Sequence, residues 1–215
     1  MKKQKRILML LFAILIAGVS FGQINVFTFG QNDPSIIKMT SRHIASDNRD
    51  LATVLRLFNA DFTKSEFTGE NLQSKYFTLI CKNIWNGEIT EIDTIISAKY
   101  FKSIGRQLIR TDTLSLDILG GKAGDKRKID FNFSGAGLWW RTYKAVDSDL
   151  YSLRPALLRM QINIELNKFT PIFIYMLPTP QGQYCAVERN GGDIETWGKE
   201  FSIEHYMIFE IMFEE

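Results

Sequence analysis

Between residues 158 and 166 the chain alternates without a break: Leu158, Met160, Ile162, Ile164 and Leu166 fall on one side of an extended backbone, Arg159, Gln161, Asn163 and Glu165 on the other. Successive side chains of a strand point to opposite faces, so the pattern predicts a β-strand with one face against apolar material and the other against water or a polar lumen. Residues 128–133 repeat it, with Ile129, Phe131 and Phe133 opposite Lys128, Asp130 and Asn132. Residues 76–81, 92–98, 107–119, 138–146, 184–188 and 203–213 are further strand segments, and 23–30 a short first one. In residues 171–177 apolar side chains occupy both faces, which predicts a strand buried on both sides. Turn chemistry separates these runs at 120–125, 135–137, 178–180 and 190–193, all rich in glycine, proline or asparagine.

Nearer the N terminus the period lengthens. Asp33, Pro34 and Ser35 have the composition of a helix start, and Ile36, Ile37, Thr40 and Ile44 fit one face of a short helix. A stronger helix is predicted over 47–59, where Leu51, Val54, Leu55 and Phe58 recur at helical spacing and Asp47 is placed to cap. The element order predicts an α+β, mainly β domain, its N-terminal helices (about 34–60) packed on a curved antiparallel sheet of about eight or nine strands. A β-sandwich and a closed β-barrel are the alternatives, the latter including an outer-membrane barrel.

Residues 1–22 change the charge of the picture. Lys2, Lys3, Lys5 and Arg6 precede an apolar run over 7–19 and the small-residue end Ser20-Phe21-Gly22, the pattern of a secretory signal peptide. The run is shorter than the roughly 20 residues of a membrane-spanning helix, with an uncleaved anchor as the alternative. Removing four basic residues turns the formal +2 of 26 Lys plus Arg against 24 Asp plus Glu into about −2. Residues 23–215 then read as one exported domain, in the periplasm, at the cell surface or outside the cell. Beyond Lys126-Arg127-Lys128 there is no basic cluster, so a nucleic-acid partner is not expected.

Candidate chemistry is sparse. Cys81 and Cys185 both fall in strand-like segments, and a bridge between them would close a loop of about 100 residues, worth roughly 4 to 5 kcal/mol in a chain-entropy estimate; two separate buried thiols are the alternative. Neither cysteine has the neighbours of a nucleophile. His43 and His205 are the two histidines and share no ligand motif, so no metal or cofactor is expected. Asp147 and Asp149 in one loop, and Glu188, Asp193 and Glu195 around Asn190-Gly191-Gly192, are weak acidic candidates for calcium or for carboxylate chemistry, and equally ordinary turn residues.

Aromatic rings point elsewhere. Trp139 and Trp140 fall on opposite faces of a strand, with Tyr143 on the Trp139 side; Trp85 and Trp197 lie near turns. Exposed rings beside polar groups stack on sugars or engage peptides. The expectation is a noncatalytic domain that binds a small molecule, a glycan or an envelope protein through Trp85, Trp139, Trp140, Tyr143 and Trp197. A secreted hydrolase using paired carboxylates, and a structural envelope protein, are the alternative classes.

Overall fold

The alternating segments do become strands, and two short turns show why they pair as they do. Asn86 and Gly87 both take positive φ (50° and 77°) between the paired residues Trp85 and Glu88, the backbone that a two-residue hairpin requires. Gly124, at φ 66°, opens the equally short Gly124-Asp125 connection. The computed structural model describes residues 36–43, 48–70, 72–107, 109–156, 161–184 and 193–215. Their elements run β1 (Ile36–His43), α1 (Arg49–Leu57), β2 (Asp61–Thr68), β3 (Tyr76–Trp85), β4 (Glu88–Ile96), α2 (Ala98–Ser103), β5 (Thr113–Ala123), β6 (Lys126–Phe133), β7 (Gly137–Lys144), β8 (Ser152–Pro155), β9 (Gln161–Glu165), β10 (Thr170–Met176), α3 (Trp197–Glu200) and β11 (His205–Glu214).

These strands form two antiparallel sheets, six-stranded in the order β7-β6-β5-β2-β1-β9 and five-stranded in the order β4-β3-β11-β10-β8. Their inner faces meet through aromatic rings. Phe67 of β2 contacts Phe213 of β11 with ring centroids 5.5 Å apart, Phe77 of β3 contacts Phe133 of β6 at 4.7 Å, and Phe131 of β6 contacts Phe209 of β11 at 5.3 Å. All six rings are buried. This is the face-to-face packing of a β-sandwich, held chiefly by apolar burial between the sheets.

Two expectations are corrected. The described strands do not close into a barrel; they form two open sheets whose shared interior is filled by side chains. Nor do N-terminal helices pack on the sheet. Residues 36–43 are a strand, because the burial alternates through Ile37 and Met39 and the backbone finds partners on both sides, in β2 and β9. The helix expected over 47–59 does form as α1, capped by Asn48 Oδ1, which accepts from Leu51 N at 3.0 Å. Its apolar stripe stays largely in solvent: Leu55 is buried, whereas Val54 and Phe58 are 50% and 67% exposed. The inner sheet faces are already paired with each other and leave the helix no apolar surface to cover. Asp33, Pro34, Ile44 and Asp47 lie outside the described residues.

The outer face of the five-stranded sheet is also covered. Tyr206 and Ile208 of β11 and Ile174 and Met176 of β10 are all buried, although their neighbours in sequence are the side chains that face the other sheet. The segment around α3 accounts for part of this cover: Tyr206 Oη donates toward the carbonyls of Ile194 (3.0 Å) and Glu195 (2.9 Å) and accepts from Gly198 N (3.1 Å). Close approach of Gly198 to Gly87 lets that segment sit down; a Cβ on Gly198 would come within 2.5 Å of Gly87 Cα.

Candidate functional site

The five aromatic candidates are distributed over several places. Trp140 on β7 points outward and is 58% exposed, with Lys128 Nζ 5.8 Å from its ring. Trp139 turns the other way, packs edge-on against Phe101 of α2 at 5.7 Å and donates to the Ala136 carbonyl. Tyr143, also inward, is buried and donates to Asp93 Oδ2 at 2.9 Å. The same oxygen accepts from Arg141 Nε at 2.9 Å, so Asp93 of β4 ties the edge of one sheet to the edge of the other. Trp85, at the end of β3, stacks on His205 at 4.2 Å. Trp197 is buried in α3, and its Nε1 has no hydrogen-bonding partner among the described residues. Trp140 alone of these rings therefore offers most of its surface to solvent.

The acidic candidates are held as turn residues. Asp147 and Asp149 share one lysine, Lys122, at 2.7 and 3.0 Å, which puts an ammonium where a cation would have to sit. Asp193 Oδ1 accepts from Glu195 N in a local turn ahead of α3, and Glu195 pairs with Lys82, which also meets Glu210. Glu188 lies outside the described residues, as does Cys185. Cys81 is a buried free thiol whose pKa burial pushes well up. Among the described residues no three His, Cys, Asp or Glu side chains gather in a group fit for a metal ion.

Two polar arrangements stand out beyond the sequence candidates. The first is on the outer face of the six-stranded sheet, in an open depression of about 710 Å³ lined by Thr40 of β1, Lys64 and Glu66 of β2, Ser115 and Asp117 of β5 and Gln161 of β9. Strand register assembles it: Thr40 pairs with both Glu66 and Gln161, Glu66 with Ser115, and Lys64 with Asp117, the last joined by a 3.5 Å ion pair. Trp140 lies on the same face. It is the register partner of Asp130, which pairs with Leu119, which pairs with Phe62. A row with exposed apolar surface at Trp140 and Leu119 thus runs beside the polar one.

The second arrangement is internal. His205 is fully buried between Tyr151 and Asn83. Its Nε2 lies 2.7 Å from Asn83 Oδ1, an acceptor, so Nε2 carries the proton and Nδ1 takes the Tyr151 hydroxyl. Burial, and then the charge of Arg127, pull its pKa down to about 4. Arg127 is itself buried on β6. It lies over the Tyr151 ring at 4.4 Å and the Tyr175 ring at 5.9 Å, and donates to the Ser148 carbonyl. The basic run Lys126-Arg127-Lys128 gives no hint of this by composition. The parity signal was present, however: extending the alternation of Ile129, Phe131 and Phe133 back by two places puts Arg127 inside and both lysines outside.

Comparison with protein-family models, curated proteins and solved structures finds no match to this chain.

Proposed function

We propose that this chain is an exported, noncatalytic binding domain that takes a glycan on the outer face of its six-stranded sheet. The observation that carries the reading is the depression bounded by Thr40, Lys64, Glu66, Ser115, Asp117 and Gln161, on the face that also exposes Trp140. Sugars present hydroxyls in fixed directions and apolar C–H faces. Strand-borne hydroxyl, amide and charged side chains suit the first, and an exposed indole suits the second. Because these groups stand on paired strands, little conformational freedom is lost on binding. Export rests on the basic and apolar pattern of residues 1–22.

The test is calorimetric titration of the protein with a panel of soluble envelope polysaccharides and their oligomers. Binding by at least one member is expected, weakened roughly tenfold by Trp140→Ala and by Asp117→Asn, each change amounting to about 1.4 kcal/mol. Absence of binding across the panel, or equal affinity in both variants, overturns the reading. A hydrolytic reading is favoured by one observation: Glu66 and Asp117 line the same depression from adjacent strands. Release of new reducing ends that stops in Glu66→Gln would make the protein a glycosidase.

A further inference from the structure

Beside the depression, the outer face of β6 and β7 is basic. The outward positions of these two strands hold three lysines, Lys126, Lys128 and Lys144, and one carboxylate, Asp130. Residues 23–215 as a whole carry a formal charge near −2, so the bias is local to this face. The carboxylate is already engaged, since Asp130 pairs with Lys128 at 3.0 Å.

The other two lysines face each other. Lys126 and Lys144 are register partners at the last rung of the β6–β7 ladder, both are exposed, and neither forms an ion pair among the described residues. Like charges directly opposite on a sheet repel, so this rung lowers stability rather than adding to it. Asp147 and Asp149, just beyond β7, do not relieve it, because both meet Lys122. An anion seated between the two ammonium groups would. The rung also lies in line with the exposed indole. Trp140 stands on the same face of β7 four residues before Lys144, about 13 Å away at roughly 3.3 Å per residue. Lys128 lies between them, opposite Thr142, with its Nζ 5.8 Å from the Trp140 ring.

We propose that the ligand of this face is an acidic polysaccharide: one sugar stacks on Trp140, and the anionic group of a sugar further along sits between Lys126 and Lys144. This rests on the glycan reading and adds to it the charge of the ligand and its course along β7. Ammonium groups are compact charges on flexible stems and lack the fixed fork of arginine, so the rung selects negative charge rather than the shape of one anion. Carboxylate and sulfate sugars both qualify. The separation of Trp140 from the rung requires an oligomer, since a single sugar ring does not reach both.

The experiment titrates the protein by calorimetry with four probes: oligogalacturonate, the same oligomer fully methyl-esterified, dextran sulfate oligomers and plain dextran oligomers. The acidic probes are expected to bind at least tenfold more tightly than their uncharged counterparts and to weaken as salt is raised, the better of the two naming carboxylate or sulfate. Lys126→Gln/Lys144→Gln is expected to weaken acidic binding at least fivefold, with a melting temperature equal to or above the parent's because a repulsion is removed. Lys126→Arg/Lys144→Arg keeps the charge and is expected to keep the binding. Lys99→Gln/Lys199→Gln takes the same charge from exposed positions on α2 and α3 and is expected to bind the acidic probes as the parent does. Neutral probes binding as tightly as acidic ones, or an equal loss in the Lys99/Lys199 and Lys126/Lys144 variants, overturns this inference and leaves the glycan reading standing. If no glycan binds, acidic or neutral, here or in the envelope panel, the glycan reading fails and this inference with it.

Discussion

His205 stays neutral because burial removes the water that would solvate an imidazolium, and because Arg127 already places a positive charge nearby. Its folded pKa of about 4 lies below the unfolded 6.5, so the unfolded chain binds the proton more readily. The stabilisation is fully present above pH 6.5 and is lost as the pH falls toward 4, amounting to about 3 kcal/mol. Denaturant melts between pH 7 and pH 4 are expected to show this loss, and His205→Gln to flatten it. Gly198→Ala would drive a Cβ into the Gly87 backbone, and a cost of about 2 kcal/mol or more is expected in the same assay. Cys81, buried and with its pKa raised, is expected to resist thiol reagents in a Cys185→Ser background until the protein unfolds. At this scale the sequence shows which side chains alternate but not what they meet. Arg127 was legible as inward-facing; its tyrosine neighbours, Tyr151 and Tyr175, come from the loop before β8 and from β10, and no local pattern reveals them.

At the scale of elements, legibility followed the strength of the local period. β6 and β9 were readable because their apolar positions recur every second residue, and β10 because a short run apolar on both faces lies between turn signals. β2 was missed: its inward positions are Thr63, Ser65 and Phe67, two of them polar, and Ser65 is satisfied by Ser41 across the ladder at 2.8 Å. β1 was misread as a helix because two adjacent isoleucines satisfy either period and the ladders to β2 and β9 decide between them. The helix α1 contributes mainly its own cap. Asn48→Ala is expected to destabilise it by about 1 kcal/mol, seen as faster amide exchange over 49–57, with global stability barely changed. Leu57→Gln, at an exposed position, is expected to stay within about 0.5 kcal/mol of the parent.

Across the whole molecule the two sheets are joined by apolar burial in the middle and by Asp93 at one edge. Asp93 serves Arg141 and Tyr143 together, so Asp93→Ala is expected to cost about 1 to 3 kcal/mol by leaving the buried Tyr143 hydroxyl without its acceptor. The strand order itself was beyond local reading, since it rests on ladders such as β1 with β9 and β3 with β11, whose partners are far apart in sequence. The outer-face depression has the same origin: four strands supply its lining, and each reads alone as an ordinary polar strand face. One of those distant ladders also sets a timetable. β11 follows the other described strands in the sequence, yet it lies between β3 and β10 in the five-stranded sheet, with ten register partners along β3. That sheet lacks its middle until residues 205–214 are made, so on a growing chain β3 and β10 are held open for a partner more than a hundred residues beyond β3.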